Sequence, residues 1–266
     1  MTWLSDPGIS GPILFIGYFL LYGLEYFFPL VIKKSRHFWT NASLAVVLIL
    51  INFVFTSLTL GLSEWVEVNN FGFFNNITIG IGWQLLLSII FLDFWAGYLV
   101  HFIFHQYAFL WHFHSIHHSD NHVDVTTTFR QHPVESLIRI GFNLSGMMFL
   151  GIPSWMLLIY LTLSTIHAQI EHANIRLPDK LDRLLQYIIV TPNMHKIHHS
   201  RYQHETDTNY SNIFSWWDRM FRTYASRKNY TDIQYGLDFL DEKTHYSFWD
   251  LVRMPFRFFT RTQRKS

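Results

Sequence analysis

Long apolar runs broken by short polar segments organise residues 11–166, and a mixed polar and apolar pattern fills the remainder. Residues 11–32 carry a single charge, Glu25. At about 1.5 Å of rise per residue, such a run crosses a hydrocarbon core of about 30 Å as a helix. No basic region precedes it and no small-residue cleavage site comes after it, so it is expected to stay in the mature protein. Lys33, Lys34 and Arg36 come next, and residues 43–62 form a second span that ends at the acidic segment 63–70. The positive-inside rule puts the basic turn in the cytoplasm and the acidic one across the membrane. A third run, 77–100, brings the chain back and delivers it directly to His101.

The fourth run, 137–166, is interrupted by Gly151, Pro153 and Ser154, which predicts a helical hairpin of 137–150 and 155–166. Each half is short for a full span, so the hairpin enters and leaves on one side and offers a dry wall to a substrate. Beyond it, Pro178 and Asp179 open an amphipathic helix over 180–189, which Thr191 and Pro192 end. The rest reads as cytosolic and helical, with a basic tail over 253–265 suited to anionic lipid or to solvent. The fold expected is all-α: polytopic membrane helices with a helical cytosolic cap, as one membrane-embedded domain over 1–266.

Composition agrees. Half of the residues are hydrophobic, 18% are aromatic and only 15% are charged, outside the range of an ordinary soluble domain. A formal net charge of +1 gives no reason to expect nucleic acid as a partner. Cysteine is absent, which excludes disulfides, thiolate metal sites and cysteine nucleophiles. Histidine is the unusual residue, because fourteen of the sixteen fall between His101 and His204.

Three clusters carry the chemistry: His101-x3-His105, His114-x2-His117-His118 and His195-x2-His198-His199. Positions i, i+3 and i+4 share one side of a helix, so each cluster directs imidazoles to a common region. One HxxxH is more often structural than ligating, but two copies of HxxHH in one chain point to metal. Eight converging imidazoles exceed the need of one ion and favour a dinuclear site. Imidazole suits iron among redox metals, and also zinc, copper and nickel, so spacing alone does not name the metal. His172 is the ninth candidate and His167 a weaker tenth. Carboxylates are needed to orient the outer ring nitrogens. Asp93, Asp124, Glu135, Glu171 and Asp218 are the candidates, with Arg130 and His132 beside them, and Arg130 is a possible ion-pair partner for Glu135. His112, His122 and His204 lie off the spacing; His37 and His245 have no motif and read as structural.

These residues resemble the fatty acid hydroxylase and sterol desaturase superfamily of membrane histidine-box enzymes. The resemblance rests on Asp93-x4-Tyr98-x2-His101-x3-His105, Leu110-Trp111-x2-His114-x2-His117-His118 and Arg130-x-His132-Pro133-x-Glu135. It extends through His172-Ala-Asn174, Met194-His195-x2-His198-His199, Asn209-Tyr210 and Trp217-Asp218-Arg219, so it covers about 93–224. It departs at Phe102, where many members carry arginine, and at Ala168, where some relatives place a further histidine. The resemblance implies hydroxylation or desaturation of an unactivated C–H bond in a lipid or sterol-like substrate. It further implies two ferrous ions held by the three clusters and His172, O2 as co-substrate, and electrons from a ferredoxin or cytochrome b5-type donor. The expected location is an integral, multi-pass one with the metal on the cytoplasmic side: a bacterial inner membrane, or the endoplasmic reticulum if eukaryotic. A zinc-dependent membrane lipid hydrolase or isomerase, and a membrane metal carrier or sensor, are the competing readings.

Overall fold

The structure, a computed structural model, describes residues 7–31, 37–238, 240 and 246–262. The basic turn 33–36 and His245 lie outside the described residues, as do the side chains of the basic tail beyond Arg257. Every regular element among the described residues is helical; pairing of strand type is limited to three isolated bridges.

Helix α1 (Pro7–Phe27) and helix α2 (Phe38–Val68) coincide with the first two apolar runs. Helix α2 has 31 residues, more than the twenty of the run that predicted it, because its helix-compatible ends continue past the apolar stretch. After the short turn Phe73–Asn76, α3 (Ile81–Leu92) continues through a widened π-helical stretch, Asp93–Leu99, into α4 (Val100–Gln106). A π-turn inserts one residue and rotates the downstream helix by about 100°. It therefore resets the face on which His101 and His105 emerge relative to the apolar face of α3.

Two helices, Phe38–Asn76 and Ile81–Gln106, are long and apolar enough to cross a bilayer. On α2 the side chains of Ile49, Phe53 and Val54 are 66%, 77% and 70% exposed, a face that water does not support and hydrocarbon does. These features are those of a membrane protein.

The predicted hairpin is present as α6 (Pro133–Leu150) and α7 (Ser154–His172). It reaches deeper than its apolar run suggested, since 18 and 19 helical residues extend about 27–29 Å. Its turn packs on the α2–α3 connection: Ser154 N–H donates to Ser63 Oγ at 2.7 Å, and Gly151 abuts Gly72. Both glycines have positive φ, 73° and 104°, and a Cβ on either would meet backbone. Both ends of the hairpin thus return to the histidine level. The core of this layer is Phe74, Leu92, Leu144, Met147, Met156, Leu157 and Tyr160, packed between α3, α6 and α7.

The cap is built from short helices: α5 (Ala108–His118), α8 (Asp179–Leu185), α9 (Pro192–His198), α10 (Gln203–Thr206) and α11 (Trp216–Met220). Helix α8 is shorter than the amphipathic pattern over 180–189. Thr191 and Pro192 do not merely end it; they start α9, with the Thr191 hydroxyl capping Met194 N–H and Pro192 in the first turn. The last helix, α12 (Phe248–Thr262), packs Leu251 and Met254 against Leu44 and Ile116.

Candidate metal centre

Four helices deliver the nine predicted histidines. Helix α4 carries His101 and His105, α5 carries His114, His117 and His118, the end of α7 carries His172, and α9 with its C-cap carries His195, His198 and His199. Their ring nitrogens gather in two groups, each with its atoms within 4.8 Å of one another: His101, His105, His114, His118 and His198, then His117, His172, His195 and His199. Residues adjacent in sequence separate. His118 joins the first group and His117 the second; His198 joins the first and His199 the second.

The inner nitrogens face one another in a way that hydrogen bonding does not explain. His101 Nδ1–H donates to the Tyr210 carbonyl at 2.8 Å, and His114 Nδ1–H to Glu135 at 2.9 Å. Both Nε2 atoms of these neutral rings therefore present lone pairs, yet they lie 3.0 Å apart. The same holds for His117 and His172, whose Nδ1–H groups donate to the Arg130 and Ala168 carbonyls while their Nε2 atoms stand 3.0 Å apart. Facing lone pairs repel unless a cation lies between them.

The spacing also speaks to coordination. His172, His195 and His199 form a triangle of Nε2 atoms with edges of 3.0, 3.2 and 3.1 Å. With metal–nitrogen bonds of about 2.1 Å, right-angle ligands sit about 3.0 Å apart and tetrahedral ones about 3.4 Å. The triangle fits one face of an octahedral ion. Burial and then neighbouring histidines hold His114, His117, His118, His195, His198 and His199 well below the ordinary imidazole range. Burial pushes His172 down to about 3. Neutral imidazole is the ligating form.

Six outer nitrogens have oxygen partners that fix the ring tautomer. Besides the four above, His198 Nδ1–H donates to the Thr208 carbonyl at 2.8 Å and His105 Nδ1–H to Asp207 at 3.1 Å. Glu135 is fully buried and also accepts from Arg139 Nε at 2.9 Å, on the same oxygen. Burial pushes its carboxyl up and Arg139 opposes this; two donors converging on one oxygen select the ionised acceptor. The ion pair open to Arg130 is made instead by Arg139, one helical turn from Glu135.

The other sequence candidates are spread around this centre. Glu171 approaches His195 Nε2 and His172 Nδ1, both at 3.8 Å, and its Oε2 has no partner among the described residues. Arg130 reaches the Ile116 carbonyl, Ser119 and Asn41, so its link to the histidines is its own carbonyl. Asp218 accepts from Tyr210 N–H and Ser211 N–H at 2.8 and 3.0 Å, holding the loop whose carbonyl binds His101. Asp93 touches no histidine; it accepts from Ile213 N–H, Phe214 N–H and the Trp217 indole. His132 caps α6 and contacts the Val252 carbonyl. Asp124 pairs with His37, which also bridges to Asp120 at 2.7 Å. His167 lies outside both groups, with Nε2 on the Val190 carbonyl at 2.9 Å.

Asp207, Thr208 and Arg139 gave no separate signal in the sequence, and Ala168 stood out only as a departure from the family pattern, not for its carbonyl. Carbonyls are invisible in a one-letter code, and Asp207 lies 102 residues from the histidine it orients. A cavity of about 210 Å³ opens beside the two groups, floored by His101, His117, His172 and His195. The hairpin wall facing it is mixed: Ile140, Tyr160, Leu161 and Ala168 give the apolar surface the run suggested, and Arg139, Asn143, Ser164 and Thr165 add polar groups to it.

Sequence comparison matches residues 85–223, just over half of the chain, to the fatty acid hydroxylase family. An ornithine lipid hydroxylase from Rhizobium tropici is 30% identical over 158 residues, which is 58% of this chain and 46% of that protein. An alkylglycerol monooxygenase from Caenorhabditis elegans is 30% identical over 155 residues, 58% of this chain and 30% of its own length. The human alkylglycerol monooxygenase is 25% identical over 157 residues, 58% and 33% of the two chains. The chain thus spans less than half the length of these curated relatives. No solved structure matches. The matched region runs from α3 to Thr223 and contains all nine histidines, their carbonyl partners and all of the cavity lining except Leu48 and Asn52 of α2. By that match, the chain belongs to the fatty acid hydroxylase family.

Proposed function

We propose that this protein is a multi-pass membrane oxygenase that hydroxylates a C–H bond of a lipid, with two iron ions, O2 and electrons from a ferredoxin or cytochrome b5-type carrier. The observation that carries the reading is the pair of imidazole groups, five and four nitrogens, with lone pairs facing at 3.0 Å. His101, His105, His114, His118 and His198 would hold one ion, and His117, His172, His195 and His199 the other. Two iron ions there supply O2 reduction and transfer of one oxygen atom to carbon, the second oxygen leaving as water. The hydroxylase and monooxygenase names of the relatives support oxygen insertion over desaturation.

The chain's own residues prepare that chemistry. Outer N–H bonds to carbonyls and carboxylates lock six of the nine imidazoles in the tautomer with its lone pair inward. Burial of the histidines keeps them neutral and keeps bulk water from the centre. The cavity floor includes histidines of both groups, so a substrate held there lies against both. Leu48 and Asn52 of α2 border the same cavity, which supports lateral entry from the bilayer. The positive-inside rule, applied to Lys33, Lys34 and Arg36, puts the site on the cytoplasmic side.

The right-angle nitrogen spacing and the number of donors argue against the zinc hydrolase reading, and the exposed, apolar α2 gives a metal carrier no polar path. The test is elemental analysis of purified protein together with lipidomics of cells grown with and without O2. Two irons per chain and an O2-dependent product heavier by one oxygen are expected, both lost in His198→Ala with membrane insertion unchanged. Zinc as the bound metal, with an O2-independent product, would overturn the proposal.

A further inference from the structure

We infer that the cavity takes an amphiphile bearing an oxyanion, a phosphate or carboxylate, and that Arg139 is the residue that binds it. The inference deepens the oxygenase reading and rests on it for calling this lipid a substrate. Arg139 lies on α6, in the apolar hairpin, where an ionisable side chain is costly and is retained for a partner. Its guanidinium is fixed at two points: Nε donates to Glu135 at 2.9 Å, and the charge lies 5.2 Å from the Phe104 ring centroid. The Nη atoms make no hydrogen bond among the described residues, and Arg139 lines the cavity. Glu135 does not saturate it, because among the guanidinium nitrogens the carboxylate accepts from Nε alone. A preoriented fork with its outer edge free matches the planar geometry of a carboxylate or the edge of a phosphate.

The rest of the wall agrees with a polar group at this depth. The side-chain oxygens of Asn143 and Asn212 are buried without partners and border the same space, where they would accept from a hydroxyl or N–H beside the oxyanion and not from the oxyanion itself. Glu171 sits against His195 at 3.8 Å, on the histidine side, which leaves Arg139 as the charged group of the α6 wall. A hydrocarbon chain alone would strand these groups. The oxidised carbon therefore lies near the headgroup or backbone of the lipid rather than in the middle of an acyl chain.

The test measures binding to the full-length, metal-loaded protein in uncharged maltoside detergent, with chain-matched phosphatidic acid, N-acyl amino acid and diacylglycerol as probes. At least one of the two acids is expected to bind about tenfold or more tightly than diacylglycerol, as charge-assisted pairing supplies. The tighter acid names the source of the oxyanion. Arg139→Gln should erase the preference, and Arg139→Lys should keep part of it. Equal affinity for all three lipids in the wild type, or a preference that survives Arg139→Gln, overturns the inference. Product analysis on the same lipids is read separately. Selective binding with no oxygenated product sinks the oxygenase reading alone, and efficient oxygenation of diacylglycerol without selectivity sinks this inference alone.

Discussion

Replacing Glu135 by glutamine keeps the shape of the side chain and removes its charge. Glu135 is 0% exposed and its Oε1 accepts from His114 Nδ1–H and Arg139 Nε, both at 2.9 Å. A hydrogen bond to an ionised group contributes about 1.5–3 kcal/mol and a neutral one about 0.5–1.5 kcal/mol, a loss of about 1–1.5 kcal/mol. That corresponds to about tenfold weaker binding of the ion held by the His114 group, the low end for partners of ligating histidines. The His117 group has no bond to Glu135, so its ion should be retained as in the wild type. Competition with a chelator, with elemental analysis over time, should therefore turn biphasic in Glu135→Gln, one metal leaving about ten times more readily than the other. Arg139→Met removes the cation that opposes the burial of Glu135, so it should reproduce part of the selective loss at the His114 group while the other metal is retained. Equal loss of both metals, or retention identical to the wild type, would refute the assignment of Glu135 to one group.

Neighbouring histidines should act on different ions: His117→Ala and His118→Ala each lower metal content, and metal-site spectroscopy should show complementary sites surviving; identical residual spectra would contradict the partition. Gly151→Ala forces a left-handed residue with φ of 73° to carry a Cβ against the Phe71 carbonyl, and about 1–3 kcal/mol of destabilisation is expected as a lowered melting temperature. An unchanged melt would show that the turn has room. Burial disfavours the charged form of His37, but Asp120 and Asp124 outweigh it and raise its pKa to about 10. The unfolded value is near 6.5, so this stabilisation, on the order of a few kcal/mol, is full below pH 6.5 and fades as pH rises through 10. Lys196, held down to about 8 mainly by burial, contributes the opposite slope above that pH. The comparison is therefore with His37→Gln, whose melting temperature should fall less steeply between pH 7 and 10. Parallel slopes would exclude the pair.

Much of the architecture was legible because membrane helices are written in one dimension. A run of apolar residues long enough for the bilayer must satisfy its backbone internally, and only a helix does so. The runs 43–62, 77–100 and 137–166 became α2, the α3–α4 rod and the α6–α7 hairpin, with Gly151 and Pro153 at its turn. The depth of the hairpin was not legible, because Pro133 and His172 set its ends through packing and capping rather than hydropathy. Nor was Asp93, whose three donors come from residues 213–217, about 120 positions away.

Local geometry in the clusters was set by the sequence alone. On a helix, i and i+4 differ by about 40° and i+3 lies about 100° from i+4, so an HxxHH segment presents one close pair and one divergent ring. His114 with His118, and His195 with His199, are such pairs, and each pair stays within one group. What no local rule supplies is the exchange, in which His117 crosses to the group of His195 and His199 while His198 crosses to that of His114 and His118. That depends on α5 and α9 meeting face to face, and on distant oxygens of Glu135, Asp207 and Tyr210 turning His114, His105 and His101 inward. Those contacts join residues far apart in the chain, and only the folded molecule brings them within reach.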